Sequence, residues 1–291
     1  MKLLITGGDG QLATDLRAVA LAAGDEVVAV GRSTLDITDR AAVHAAVAES
    51  GVDVVVNTAA WTAVDACESD PDRAYAANAM GPRWLAEATA RHRCHLIQVS
   101  TDYVFDGTKR EPYHEWDSPS PSPASVYGRS KLGGEQECWR HGGDVAVVRT
   151  AWVMGAHGSN MLKTIVSLAD RDELAFVDDQ VGSPTFTADL AVALRTMAAE
   201  RLTGLFHLTN RGQTSWFGLV REVLAELGQS PDKVRPIRTE DLDPPRPAAR
   251  PAYSVLADRA WRSAGGEPLP EYRDSLRVAL GALASDPGTQ E

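Results

Sequence analysis

The chain has 291 residues, enough for one large α/β domain or two smaller ones, and its 44% hydrophobic content is ordinary for a globular protein. A net charge of −11 with no basic stripe argues against a polymeric nucleic-acid partner, and no apolar run approaches the roughly 20 residues that span a bilayer. Cys67, Cys94 and Cys138 are odd in number and widely spaced, match no zinc pattern, and read as thiols in a reducing cytosol.

Met1 leads directly into an apolar strand rather than a signal peptide, so the cytoplasm is the expected compartment. Lys2–Thr6 reads as a short buried strand, followed by Gly7-Gly8-Asp9-Gly10-Gln11-Leu12-Ala13. Leu12, Leu16, Val19 and Ala20 then recur at helical spacing, and Gly24 ends the helix. Strand, glycine-rich turn and helix together make a dinucleotide site. Gly7 and Gly10 permit a tight turn and close approach of a pyrophosphate, Ala13 keeps the helix close to the strand, and the helix N-terminus supplies N–H groups.

Glu26–Val30 is the second strand and ends at Gly31-Arg32-Ser33. An NAD site often carries an acid here, whereas an arginine accommodates a 2′-phosphate, so Arg32 favours NADP. Asp39 is the expected N-cap of a helix running to Ser50, and Asp36 lies beside the adenine or caps a turn. Val52–Val56 is a third, almost wholly apolar strand, as a parallel sheet covered on both faces requires. Small residues after it, in Asn57-Thr58-Ala59-Ala60-Trp61-Thr62, suit a cofactor crossing the sheet edge. Helix formers run on to Arg93 with Pro82 as a break or kink.

His95–Val99 is a fourth strand that ends in the polar cluster Ser100-Thr101-Asp102-Tyr103, where an α/β enzyme places its chemistry. Thr101 is suited to hold a substrate carbonyl. Thr108–Ala124, with four prolines, is a loop long enough for a lid. Tyr127 and Lys131 follow on one helix, four residues apart and on one face, in a chain with only 5 lysines. An ammonium beside a phenol favours the phenolate and draws the phenol's pKa down from about 10, which makes Tyr127 a proton donor to a carbonyl. Val145–Thr150 is a fifth strand.

Beyond Trp152 the pattern changes to a helix at Met161–Ala169, a turn-rich Asp178–Thr185, a helix at Ala188–Glu200 and a strand at Leu205–Leu208 that returns to the sheet. Trp216–Leu227 and Tyr272–Ala284 are further helices, and Ser285–Glu291 is a frayed tail. Asp243–Pro251 is rich in Pro and Arg, either a linker or a wall presenting Arg246 and Arg250 to an anion. The expected fold is α/β, a Rossmann-type doubly wound parallel sheet with a smaller C-terminal substrate-binding domain. Residues 1–153 form the NAD(P)-binding part, with return segments around 185–210, and residues 154–291 mainly the substrate-binding part.

Gly7-x-x-Gly10-x-x-Ala13, Ser100-Thr101-Asp102-Tyr103-Val104-Phe105 and Tyr127-x-x-x-Lys131, in this order, resemble the extended short-chain dehydrogenase/reductases. Thr6–Leu12, Asn57–Asp65, Arg149–Val153, Asp179–Thr185 and Arg246–Pro251 bring the likeness closest to members that reduce a carbon-4 ketone on a dTDP-linked deoxysugar. The resemblance implies NADPH as cofactor, with NADH as the alternative, and dTDP-4-dehydro-L-rhamnose as substrate. It implies that Thr101, Tyr127 and Lys131 are catalytic, Lys131 also holding the nicotinamide ribose. It places Gly7, Gly10, Gln11, Leu12, Arg32, Asp36, Ile37, Ala60, Trp61 and Thr62 along the cofactor, with Thr101, Asp102, Trp152, Arg246 and Arg250 toward the sugar nucleotide. Some members dimerise through magnesium; no acidic cluster here matches that site, so no metal is expected, and a homodimer is left open. The rivals are a nucleotide-sugar epimerase or dehydratase, a ketoreductase of another dTDP-deoxysugar, and a non-catalytic NADP-binding regulatory subunit. Tyr103 stands where a dehydratase would carry an acidic pair.

Overall fold

Short runs of branched apolar residues, each followed by a helical stretch, dictate strands buried on both faces with crossover helices. The computed structural model, which describes residues 1–119 and 122–285, has this arrangement. Its first half runs β1 (Lys2–Thr6), α1 (Gln11–Ala22), β2 (Glu26–Val30), α2 (Arg40–Ser50), β3 (Val54–Asn57), α3 (Val64–Ser69), α4 (Pro71–Tyr75), α5 (Gly81–His92), β4 (His95–Thr101), α6 (Val126–His141) and β5 (Val145–Thr150). The second half runs β6 (Val153–Met154), α7 (Met161–Leu168), β7 (Leu174–Val177), β8 (Val181–Gly182), β9 (Thr185–Phe186), α8 (Thr187–Glu200), β10 (Gly204–His207), β11 (Thr214–Ser215), α9 (Trp216–Glu226), β12 (Val234–Ile237), α10 (Arg259–Ser263) and α11 (Tyr272–Ser285).

Six parallel strands form one sheet in the order β10-β5-β4-β3-β1-β2. The strand order turns between β1 and β3, the position where open α/β sheets bind their ligands. Asp39 caps α2 by accepting from the Ala42 N–H at 3.0 Å. Helix α8 packs on α1, and Leu190, Leu194 and Met197 join Leu3, Ile5 and Leu16 in the core on that face of the sheet. A second core, built on Leu162, Ile165, Phe186, Val223 and Leu276, lies wholly beyond residue 153. The three cysteines are buried free thiols.

The structure departs from the sequence expectations in places. At the break or kink expected at Pro82, the chain passes through a π-helical turn, Ala76–Met80, that leads directly into α5, with Pro82 in the first turn of α5. Residue Asn78 of that turn accepts from the Trp61 N–H at 2.8 Å and donates to the Trp61 carbonyl and the Ser130 hydroxyl, both at 3.0 Å. It ties the loop after β3 to α6. The proline-rich loop is pinned rather than free: Tyr113 exchanges 2.8 Å backbone bonds with Val255 and Ala257 and stacks on Phe105 at 4.1 Å. Residues 120–121 of that loop and the tail 286–291 lie outside the described residues.

The site-bearing elements meet at one buried ion pair. Arg149 of β5 donates to both carboxylate oxygens of Glu135 on α6, at 2.9 and 2.7 Å, and Ser100 at the end of β4 donates to the same carboxylate at 2.5 Å. Arg149 and Glu135 are buried. Removing one partner strands the other charge. Glu135→Leu or Arg149→Met alone should therefore lower unfolding free energy by about 3–5 kcal/mol, and the double variant by much less. Urea unfolding measures this, and single variants within about 1 kcal/mol of the parent would refute it.

Candidate active site

The turn from β1 into α1 is shaped for close approach. Gly7 has φ +73°, and a Cβ there would fall 2.8 Å from the Ala59 nitrogen of the loop after β3. Gly10 donates to the Gly7 carbonyl at 2.8 Å and stands as N-cap of α1, with no side chain capping the helix. The first-turn N–H groups are the donors a pyrophosphate needs, so the turn fits a dinucleotide. Leu12 and Ile37 place their side chains in the core, so toward a cofactor only their backbone is on offer. The Gln11 side chain donates to the Val153 carbonyl at 3.2 Å and accepts from Asn160 at 3.1 Å, joining the turn to the segment after β5. Ala60, Trp61 and Thr62 line the adjoining sheet edge, Ala60 and Trp61 half-buried and Thr62 exposed. Arg32 is 72% exposed and leans on Asp36 at 3.5 Å, while Asp36 accepts from the Thr38 N–H and hydroxyl at 3.0 and 2.8 Å.

The polar cluster expected to carry chemistry lies at the carboxyl end of β4. Thr101 donates to Asp102 Oδ1 at 3.0 Å and accepts from the Tyr103 N–H at 3.2 Å, and its hydroxyl favours the ionised form of the Tyr127 phenol. Ser125 caps α6 by accepting from the Gly128 N–H at 3.1 Å, which fixes Tyr127 one residue into the first turn. The Tyr127 ring meets the Tyr103 ring edge-on at 5.6 Å. Lys131, one turn on, donates through Nζ to the Val99 carbonyl at 2.7 Å.

The electrostatics correct the expectation of a lowered Tyr127 pKa. Burial pushes the phenol above its ordinary value, and the Thr101 hydroxyl only partly offsets this. The Lys131 ammonium is engaged by the Val99 carbonyl and is itself drawn down to about 8 by burial, against the pull of Glu135. Asp102 is raised to about 6 by burial, with Ser254 and Thr101 opposing, and its Oδ2 is buried without a hydrogen-bond partner.

The proline-arginine segment also differs from expectation. Arg250 is not a free cation facing an anion. It pairs with both oxygens of Asp65, at 2.5 and 2.7 Å, and donates to the Ala248 carbonyl at 2.6 Å. Arg246 is exposed. Trp152, just past β5, has φ +45°, a rare conformation for a bulky residue. Its indole stacks on Trp216 at 3.7 Å and 6°, and a Cβ at Gly182 would fall 2.6 Å from that indole.

A family model described as the RmlD substrate binding domain matches residues 1–285. The chain is 46% identical to a dTDP-4-dehydrorhamnose reductase of Streptomyces griseus, over 98% of this chain and 95% of that one. The chain belongs to the dTDP-4-dehydrorhamnose reductase family. It is also 39% identical to a dTDP-4-keto-6-deoxy-D-glucose reductase of Streptomyces niveus, covering 97% and 98%. The crystal structure of dTDP-4-dehydrorhamnose reductase from Bacillus anthracis in complex with NADP superposes with a TM-score of 0.91 at 34% identity, covering 96% and 98%.

Within this reductase fold the structure brings Thr101, Asp102, Tyr127 and Lys131 together at the end of β4, while Arg32 and Asp36 lie at the end of β2. Sequence reasoning missed Glu135, Asn78, Asp65 and Trp216. Glu135 alone had a local signal, since it lies four residues beyond Lys131 and eight beyond Tyr127 on the same helix face.

The raised Asp102 carboxyl has a consequence for stability. Between its ordinary value of 3.8 and about 6 the folded chain holds a proton that the unfolded chain releases. Stability contributed by this group is therefore present at low pH and is lost as pH rises through that window, by roughly 3 kcal/mol. Asp102→Asn should escape the loss, so its urea midpoint should rise relative to the parent's between about pH 4 and pH 6. Parallel pH profiles for the two proteins would refute the assignment.

Proposed function

We propose that the chain reduces the 4-keto group of dTDP-4-dehydro-L-rhamnose with NADPH, giving dTDP-L-rhamnose. The observation that carries this reading is the meeting of two elements: Thr101, Asp102 and Tyr103 at the end of β4, and Tyr127 with Lys131 one turn on along α6, the Tyr103 and Tyr127 rings 5.6 Å apart and Lys131 donating to the Val99 carbonyl. Family membership and the NADP complex of the Bacillus anthracis relative support the cofactor and substrate class.

When bound, NADPH supplies the hydride that reaches carbon 4 of the sugar. The Thr101 hydroxyl holds the ketone oxygen beside the Tyr127 phenol. Tyr127 gives its proton to that oxygen as the C–O π bond becomes a C–O–H alcohol, and a phenolate is left on the enzyme. The Lys131 ammonium stabilises that phenolate and offers its remaining N–H donors to the cofactor ribose. Asp102 and Trp152 bound the sugar, and Arg246 faces the diphosphate.

Residues 1–153 with the segment 185–210 carry the cofactor, and residues 154–291 mainly the sugar nucleotide. We assign the reaction to the cytoplasm, and a homodimer as the candidate assembly. No described helix is long and apolar enough to cross a membrane.

Loss of NADPH absorbance in the presence of dTDP-4-dehydro-L-rhamnose tests the activity, and dTDP-4-keto-6-deoxy-D-glucose run in parallel tests the sugar. Faster turnover of the second ketone would reassign the substrate. Tyr127→Phe should lower kcat by roughly 10²–10⁴-fold, and near-parental turnover would remove Tyr127 from its role. Arg246→Ala should raise KM for the dTDP-sugar several-fold while the unfolding temperature stays put, as expected of an exposed cation. An unaltered KM would free Arg246 from the diphosphate role.

A further inference from the structure

The acid that a dinucleotide site places at the end of its second strand is missing from the sequence there, where Gly31-Arg32 stands instead. The structure supplies one from elsewhere. Gly8 of the glycine-rich turn donates to the Val30 carbonyl at 2.8 Å, which fastens the turn to the last residue of β2. The next residue, Asp9, then lays its carboxylate over Gly31. A Cβ built on Gly31 would fall 1.8 Å from Asp9 Oδ2 and 2.7 Å from Oδ1, so the carboxylate fills the space a side chain at residue 31 would take. Asp9 is exposed.

The end of β2 thus gathers Asp9, Asp36 and Arg32. Arg32 is already shared with Asp36, and Asp36 is committed to the Thr38 N–H and hydroxyl. A ribose 2′-hydroxyl is a hydrogen-bond donor that a carboxylate accepts well. A 2′-phosphate brings up to about two negative charges, which Arg32 attracts and Asp9 repels.

We infer that Asp9 is a specificity-determining residue for the cofactor, set against Arg32, and lowers the preference for NADPH over NADH. The inference rests on the proposed reductase function for its biological meaning, but its test is a binding measurement. Asp9→Asn keeps the shape of the side chain and removes its charge. Dissociation constants of NADPH and NADH, read from quenching of tryptophan fluorescence, should show NADPH bound roughly three- to tenfold more tightly in the variant while NADH is unchanged or weaker. Asp9→Ala should shift the ratio in the same direction, and Arg32→Ala in the opposite one.

A ratio that moves less than twofold in Asp9→Asn overturns the inference. So does a parallel shift for both cofactors, which would mark Asp9 as a shaper of the turn rather than a discriminator. Failure to reduce any dTDP-linked ketone, with both cofactors bound and the ratio shifted as expected, would overturn the proposed function and support the inference about Asp9.

Discussion

The buried Arg149–Glu135 pair sets the geometry on which the site depends. Thr101 follows Ser100 on β4, Tyr127 and Lys131 lie on α6, and Trp152 follows β5; Glu135 holds Ser100 and Arg149 on one carboxylate while itself standing on α6. Three elements from three parts of the chain are locked by groups one to eight residues from the candidate site residues. Such a pair is weak support for stability compared with an apolar replacement, because desolvation consumes much of the attraction. Its value here lies in orientation, since planar guanidinium and carboxylate accept one arrangement. His207, opposite Arg149 in the sheet, is drawn down to about 3 by burial and by that neighbouring charge, and stays neutral. Arg149 also lies over the Phe105 ring at 5.0 Å, so the pair is linked to the loop that covers it.

The second constraint lies where the two cores meet. Trp152 leaves β5 in a left-handed conformation, held by its carbonyl accepting from the Thr185 N–H at 3.2 Å and by its stack on Trp216. A strained backbone of this kind costs on the order of 1–3 kcal/mol and persists where surrounding contacts over-determine it. Thr185, Gly182 and Trp216 all belong to the second half of the chain, whereas Trp152 ends the first. The position of the Trp152 indole is therefore set by residues from beyond β5.

What the sequence made legible was local. The glycine-rich turn, the Asp39 cap, the alternation of strand and helix, and the Tyr127/Lys131 spacing each rest on residues within one helical turn of one another, and each stands where it was expected. Features that depend on distant partners were not legible. Arg250 read as a free cation because Asp65, its partner, is 185 residues away. The end of β2 read as basic because its carboxylate arrives from the preceding turn. The π-helical turn at Ala76–Met80 carries no compositional signal, and its Asn78 finds its partners, Trp61 and Ser130, in distant segments. The phenol pKa was misjudged for a related reason: spacing gives the position of a charge on a helix, whereas burial and the Val99 carbonyl decide its effect.

That correction bears on the direction of the chemistry. A tyrosine that must take a proton from an alcohol, the oxidative direction, benefits from being a phenolate near neutral pH. A tyrosine that must give one benefits from staying protonated. Burial raises the Tyr127 phenol and keeps it loaded across the physiological range. Driving force is not sacrificed, because the alkoxide left when hydride adds to a ketone is a far stronger base than a phenolate. Burial also draws the Lys131 ammonium down to about 8, with the Glu135 charge opposing, and in the proposed reduction a phenolate would form one turn away on the same helix. In that proposal, proton transfer from Tyr127 would give the buried ammonium a second opposite charge on its own helix. An interaction stronger after the transfer than before it is the kind that accelerates the step rather than merely tightening binding.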